Sequence, residues 1–113
     1  MNVSFNGIGE LSVTFMAEEG TKASMPVKLT ENGTVGDALN GDRFCGVCLY
    51  ADDGCATVQT RGYVKLPYTG TAPALGYAKL VSNGNGGVKT AETGGEVLVA
   101  EVDTADSTVG FFM

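Results

Sequence analysis

The chain contains no histidine and no tryptophan, and only three prolines and three cysteines among its 113 residues. Without histidine, the Ser-His and Cys-His pairs that activate most catalytic nucleophiles cannot form. No run approaches the roughly 20 apolar residues of a membrane-spanning helix. Basic residues are also scarce, 7 against 13 acidic ones, and they form no cluster that could neutralise phosphates. We therefore expect a protein that is not an enzyme and that binds neither nucleic acid nor membranes.

The cysteines do not form a recognisable chemical site. Cys45 and Cys48 have the spacing of a redox or zinc pair, but they lie in a strand-like run, where residues three apart point to opposite faces. A redox pair needs its first cysteine at a helix N-terminus, and zinc needs about four ligands, a set that Cys55 cannot complete. The odd cysteine count, together with a start that does not resemble a signal peptide, favours a cytosol-like compartment. We predict small buried thiols, no metal and no cofactor.

The carboxylates also form no recognisable catalytic or metal-binding site. Asp52 and Asp53 are adjacent in a tight turn, where they are solvated and do not converge on a substrate as a glycosidase pair would. Asp103 and Asp106 could hold a weak calcium ion, but a solvated turn explains them more simply. We predict no catalytic carboxylate.

The pattern that is present is a hairpin. Two apolar runs flank residues 51–54, and an Asp-Gly turn between strand-like runs is a strong short-range hairpin signal. The first run, residues 44–50, is apolar throughout, which predicts a strand covered on both faces. The second run alternates over residues 57–66, with Val58 and Val64 on one face. Gln59, Arg61 and Tyr63 share the other face, which we expect to be exposed and to contact a partner.

Short strands separated by turns fill the rest of the chain, and no apolar stripe of helical period persists. We predict an all-β fold: a small single-domain barrel or sandwich of short antiparallel strands over residues 11–113, with almost no helix. Residues 1–10 are predicted to form an extended N-terminal arm, in which Phe5 and Ile8 could contact a partner. Residues 34–39 could make one helical turn. Further strands are predicted at residues 10–16, 23–29, 75–81, 88–90, 96–102 and 108–112.

One segment is echoed later in the chain. Residues 27–35 resemble residues 78–88, with Leu29 matched to Leu80 and an Asn-Gly turn after each. Either two similar β-units fold into one barrel, or two short turn segments are similar by chance.

The order of these parts resembles the small β-barrel decoration, or head-cement, proteins of tailed bacteriophages and prophages. The similarity begins near Val27 and runs through three short stretches to the final strand pair. These stretches are Gly33-Thr34-Val35, Gly41-Asp42-Arg43-Phe44-Cys45-Gly46-Val47, and Val58-Gln59-Thr60-Arg61-Gly62-Tyr63-Val64 after an Asp-Gly turn. The cysteines at 45 and 48 stand where other apolar residues would serve.

This resemblance implies a non-enzymatic virion protein, assembled in the bacterial cytoplasm, that binds the major capsid protein on the outside of the head. It also implies a homo-oligomer, with a trimer favoured, and an N-terminal arm that adds a strand to its partner. The predicted contact residues are Phe5, Ile8, Gln59, Arg61, Tyr63 and Tyr68. The first alternative is a ligand-binding β-module, for instance one that contacts carbohydrate through Tyr63, Tyr68 and Tyr77. The second is a thiol enzyme based on Cys45 and Cys48.

Overall fold

A computed structural model of the chain describes residues 9–52 and 54–113, and it confirms the predicted all-β class. The described residues contain ten strands and no helix. We refer to the first five strands as unit 1 and to the last five as unit 2. Unit 1 comprises β1 (Leu11–Ala17), β2 (Pro26–Glu31), β3 (Thr34–Asp37), β4 (Gly46–Asp52) and β5 (Cys55–Arg61). Unit 2 comprises β6 (Tyr63–Pro67), β7 (Gly76–Ser82), β8 (Val88–Thr90), β9 (Gly95–Asp103) and β10 (Thr108–Phe112).

Unit 1 is a closed five-stranded barrel. Its strands follow the order β1-β3-β2-β4-β5, and β5 pairs with β1 to complete the ring. All pairs are antiparallel except β1–β3, where Met16 and Ala17 pair in parallel with Thr34 and Val35. The predicted hairpin is confirmed, because β4 and β5 pair down to Asp52 opposite Cys55.

Unit 2 repeats this arrangement strand for strand. Its order is β6-β10-β9-β7-β8, which is the order of unit 1 when β6 is matched to β1, β7 to β2 and so on. The parallel β1–β3 closure corresponds to a single parallel bridge between Tyr68 and Val88. In both units the last hairpin carries a bulge, at the register shift before Tyr50 in unit 1 and before Phe111 in unit 2. The hydrogen bonds that close the two units also correspond. The bond from Ala17 N–H to Gly54 O (2.8 Å) in unit 1 matches that from Tyr68 N–H to Ser107 O (2.9 Å) in unit 2. The bond from Glu18 N–H to Val35 O (2.9 Å) likewise matches that from Thr69 N–H to Val88 O (3.0 Å).

Each unit has its own buried cluster, and the two clusters occupy equivalent positions. The registers match every residue of the unit 1 cluster to a buried residue of unit 2. The pairs are Val27 with Leu80, Val35 with Val88, Cys48 with Val99, Ala56 with Val109, and Val58 with Phe111. Of the two explanations for the sequence echo, the fold supports an internal repeat, but each unit forms its own sheet instead of half of one barrel. The sequence match was also offset by two residues, since Leu29 corresponds to Ser82.

Three local predictions were wrong. Residues 34–37 form strand β3 instead of a helical turn, because they complete a hairpin with β2 and bury Val35. The run 44–50 is not covered on both faces, since Leu49 and Tyr50 are exposed after the buried first half of β4. The alternating run 57–66 is not one strand. It breaks at Gly62, whose φ of 106° is accessible mainly to glycine, and the chain passes there from one unit to the other.

Candidate interaction surfaces

The junction between the units is built around the bend at Gly62. A Cβ atom at this position would lie 2.8 Å from the Cα of Glu10, so the bend requires glycine for space as well as for its φ angle. Gln59 fills the inside of the bend, and its Nε2 donates to the carbonyls of Arg61 (3.2 Å) and Tyr63 (3.1 Å). Gln59 was expected to be exposed. It does point out of the unit 1 barrel, but unit 2 covers that face and buries it.

The loop between β3 and β4, residues 38–45, attaches unit 1 to the β7 end of unit 2. Gly41 donates its N–H to the carbonyl of Ser82, and the Ser82 N–H donates to the carbonyl of Asp42, both at 2.8 Å. The Ser82 hydroxyl donates to the Ala38 carbonyl at 3.0 Å, which satisfies a fully buried polar side chain. These bonds give Ser82 a structural role at the junction.

Apolar contacts complete the junction. The ring of Phe44 meets that of Phe111 edge to face, with centroids 6.3 Å apart. Val47, at the start of β4, is buried in the same cluster as Val64 and Leu66 of unit 2. The segment 41–47, which carries the central part of the phage-protein resemblance, therefore forms much of the contact between the units.

An ion pair orders the same loop from the unit 1 side. Lys28 Nζ lies 2.6 Å from Asp42 Oδ2, and the Leu39 N–H donates to that oxygen at 3.0 Å. The hydrogen bond from Lys28, followed by that from Leu39, lowers the pKa of Asp42. Both groups of the ion pair are partly exposed, so its role is to position the loop.

Tyr63 and Tyr68 were expected to be exposed, and both are buried. Tyr63 packs edge to face on Phe112 at a centroid distance of 5.3 Å, and its hydroxyl donates to the carboxylate of Glu101. It lies over Gly110, where a Cβ atom would overlap its hydroxyl. Burial, and then the bond to Glu101, raise the pKa of Tyr63. Tyr68 pairs with Val88 in the bridge that closes unit 2 and belongs to the buried cluster of that unit, so both tyrosines are largely shielded from solvent.

Of the other predicted contact residues, Arg61 is exposed next to the bend. Phe5 and Ile8 lie outside the described residues, as does most of the predicted arm. Tyr77, named for the carbohydrate alternative, is exposed on β7. Among the predicted contact residues that the structure describes, only Arg61 is exposed, so these residues do not form one outward face.

A different outward-facing row crosses unit 2, and the sequence reasoning missed it. The register places Tyr63 opposite Phe112, Phe112 opposite Leu98, and Leu98 opposite Tyr77. Directly opposed residues share a face of the sheet, so these four side chains form one ladder across β6, β10, β9 and β7. Exposure rises along it from buried Tyr63 to largely exposed Tyr77. We call this ladder the apolar row. Its sequence signal was Leu98, an apolar residue on the face of β9 that also carries Glu96.

Two of the three thiols have the environment of core residues, whereas Cys55 is exposed, so the prediction of a buried thiol was wrong at that position. Cys48 is buried in the unit 1 cluster, and Cys45 packs against the same cluster, so the expectation that they face opposite sides was wrong. Cys45 precedes β4, and strand alternation does not reach it. Burial raises the pKa of both thiols, which disfavours the reactive thiolate.

The acidic turn at Asp103 has a structural explanation. Its Oδ1 accepts the N–H groups of Ala105 (2.9 Å) and Asp106 (3.1 Å), which is the hydrogen bonding of an Asx turn. Within residues 9–52 and 54–113, no group of three or more acidic or cysteine side chains is arranged to hold a metal ion. The same part of the chain has no helix long and apolar enough to cross a membrane.

No protein-family model matches the chain, and no curated protein matches it either.

Proposed function

We propose that the protein is a non-enzymatic phage or prophage structural protein that decorates the outside of the capsid. In this role it binds the major capsid protein, forms a homo-oligomer with a trimer favoured, and resides in the virion. The proposal rests on the resemblance of segments 33–35, 41–47 and 58–64 to head-cement proteins.

The observation that carries the proposal is the position of these segments. Phe44 and Val47 contact unit 2, while Gln59 and Gly62 shape the bend. The resemblance thus falls on residues that determine how the two units are joined. Such residues specify the architecture of the protein, and a protein that braces a capsid depends on its architecture.

The surface of unit 2 also supports a protein partner. Leu98 and Tyr77 are exposed side by side on neighbouring strands, and Leu75 is exposed just before β7. Contiguous exposed apolar side chains on a small protein mark contact sites for other proteins. Residues 1–10 remain the proposed arm toward the shell, with Phe5 and Ile8 as its apolar contacts.

Binding to heads tests the proposal directly. Purified protein is mixed with capsids that lack a decoration protein and is sedimented with them. We expect saturable co-sedimentation, reduced in a variant with Phe5→Ala and Ile8→Ala, while the matched exposed-surface variant Leu49→Ala binds normally. Protein that stays in the supernatant at micromolar concentration would contradict the proposal.

The carbohydrate alternative has lost two of its three aromatic residues, because Tyr63 and Tyr68 are buried. Tyr77 alone is a poor stacking platform for a sugar. A glycan array would decide the matter, since this alternative requires binding that is abolished by Tyr77→Ala.

A further inference from the structure

Four Asn-Gly pairs lie in the part of the chain that the structure describes, and they differ in their hydrogen bonding. They begin at Asn32, Asn40, Asn83 and Asn85, and a fifth, at Asn6, lies outside that part. In an Asn-Gly pair the glycine nitrogen can attack the asparagine side-chain amide with little hindrance, because glycine has no side chain of its own. The attack requires a free, deprotonated nitrogen, so a hydrogen bond from that N–H to an acceptor opposes it.

Ser82 engages the glycine N–H of two of these pairs. The Gly41 N–H donates to the Ser82 carbonyl at 2.8 Å, and the Gly84 N–H donates to the Ser82 hydroxyl at 3.1 Å. Ser82 is fully buried at the junction between the units, so both acceptor atoms are shielded from water. The junction therefore holds the nitrogens that follow Asn40 and Asn83.

The side chain of Asn83 is held as well. Its Oδ1 accepts the N–H groups of Asn85 (2.8 Å) and Gly87 (3.0 Å), and its Nδ2 donates to Thr69 Oγ1 at 3.4 Å. Its backbone N–H donates to the Gly87 carbonyl at 3.1 Å. Closure of a ring between this side chain and the next nitrogen requires rotation of the amide and of the backbone, and these bonds oppose both rotations.

Asn85 and Asn32 have neither restraint. Both are exposed, Asn85 in the loop between β7 and β8 and Asn32 in the turn between β2 and β3. Among the described residues, no group accepts a hydrogen bond from the N–H of Gly86 or Gly33, and neither asparagine side chain is hydrogen-bonded. At these two pairs nothing in the described fold opposes the attack.

We propose that Asn85 and Asn32 are sites of spontaneous deamidation and that the junction protects Asn40 and Asn83 from it. At Asn85, hydroxide removes the Gly86 amide proton and the nitrogen attacks the Asn85 Cγ, as an intramolecular reaction favoured by proximity. The side-chain nitrogen takes protons from water and leaves as ammonia, which completes a succinimide. Water then opens the ring at either carbonyl and gives aspartate or isoaspartate. The overall change consumes one water and releases one ammonia, with no oxidation or reduction.

The unequal protection matters for the contact between the units. Each conversion adds a negative charge to a chain whose net charge is already −6, and isoaspartate also lengthens the backbone by one methylene. Asn40 has little room for such a change, since a Cβ atom added at Gly84 would lie 3.0 Å from its backbone nitrogen. Asn32 and Asn85 lie in exposed hairpin connections, where an added charge is solvated. Deamidation therefore falls where the fold tolerates it.

Ageing of the wild-type protein tests the assignment. The protein is incubated in mildly alkaline buffer, digested with trypsin and analysed by tandem mass spectrometry, and a digest of unaged protein supplies the background. Cleavage after lysine and arginine yields peptides 29–43 and 80–89, and each contains one asparagine expected to react and one expected to be protected. Each peptide therefore carries its own internal control.

In the folded protein, Asn85 and Asn32 should deamidate about tenfold faster, or more, than the protected asparagine in the same peptide. The reason is that Asn40 and Asn83 can react only after local opening breaks their hydrogen bonds. In guanidinium chloride, where these bonds are lost, the four rates should converge. The rates at the exposed sites should also rise with pH, because the attacking nitrogen must lose its proton.

Ser82→Ala tests the role of the hydroxyl. It removes the acceptor that protects Asn83 and keeps the carbonyl that protects Asn40, so deamidation should rise roughly tenfold at Asn83 and stay low at Asn40. Thr69→Val is the matched control, since it removes only the 3.4 Å bond from Asn83 Nδ2 and should leave both rates unchanged.

Equal rates at Asn83 and Asn85 in the folded wild type would overturn the assignment. So would a folded protein in which Asn85 and Asn32 stay intact while the unfolded chain reacts. This comparison needs no variant, so it decides the matter even if Ser82→Ala does not fold. An equal rise at Asn40 and Asn83 in a folded Ser82→Ala variant would also overturn it, because the protection would then come from the overall stability of the junction and not from the individual N–H bonds.

Discussion

The two units have the same strand order and register, but unit 2 has the larger core residues. At four of the five equivalent core positions the unit 2 residue is bigger, and at the fifth both are valine. The extremes are Ala56 against Val109 and Val58 against Phe111. Unit 1 is closed by a β1–β3 pairing, whereas unit 2 is closed by one bridge. A closed five-stranded ring leaves little interior space, so its core is filled by small side chains.

The more loosely closed unit 2 has a core that includes residues of unit 1. Its cluster includes Val47 and packs against Phe44, both from unit 1, whereas the unit 1 cluster contains residues of unit 1 alone. The two units thus share a topology, but their cores do not depend on each other equally. Unit 2 uses its neighbour to complete its core, and unit 1 does not.

The largest loss of stability is expected at Phe111, the largest fully buried side chain of unit 2. Phe111→Ala removes a fully buried ring and should lower the free energy of unfolding by about 3–5 kcal/mol. Val58→Ala at the equivalent position removes two methyl groups and should cost roughly 1–3 kcal/mol, from lost burial and the cavity left behind. Urea denaturation of both variants measures the difference. Equal losses would mean that the two cores are not organised as described.

The second-largest loss of stability is expected at Gly62, in the bend between the units. Gly62→Ala puts a Cβ atom against the backbone of Glu10 in a left-handed conformation, so a loss of about 2–3 kcal/mol is expected. Gly33→Ala is the matched control, since Gly33 also has positive φ, 64°, but nothing lies within 4 Å of the added atom. It should cost only about 1 kcal/mol, the conformational part of the effect. A larger loss at Gly33 than at Gly62 would contradict the role of the bend.

Local signals accounted for most of the strands. The Asp-Gly turn placed the β4–β5 hairpin, and alternation with flanking turns placed β8 and β10 at their observed residues. Those signals depend on near neighbours in the chain, which is why they could be read from one sequence. Residues 34–37 were missed because a four-residue strand has too little pattern of its own and is defined by pairing with β2 and β1.

The interaction surfaces were less predictable, because burial there depends on distant contacts. Alternation continues through Gly62 without interruption, so nothing nearby revealed that Tyr63 belongs to another sheet. Tyr63 is covered through Phe112 and Glu101, and Gln59 through unit 2 itself. The apolar row exists only once β6, β10, β9 and β7 are placed side by side. Leu98 was its one local signal.

Exchanging core residues between the units probes the difference in interior space. Val58→Phe imports the unit 2 residue into the closed barrel and should destabilise the protein by about 1–3 kcal/mol through overpacking. Thr57→Phe, at the neighbouring half-exposed position that points outward, should change stability by less than about 0.5 kcal/mol. Thermal unfolding followed by circular dichroism compares the two. A neutral Val58→Phe would show that the barrel of unit 1 can open as far as the sheet of unit 2.

The smallest expected effect concerns pH. Tyr63 occupies the position that Ser12 has in unit 1, so only unit 2 carries an ionisable group there. Because the pKa of Tyr63 is raised in the folded state above its ordinary value near 10, the folded protein retains a proton that the unfolded chain loses. Its contribution to stability is therefore complete below about pH 10 and declines as the pH rises further. In urea denaturation at successive alkaline pH values, Tyr63→Phe should show a flatter decline than the wild type, whereas Tyr77→Phe, at an exposed tyrosine, should follow the wild type. Parallel curves for Tyr63→Phe and wild type would place the alkaline sensitivity outside the Tyr63–Glu101 contact.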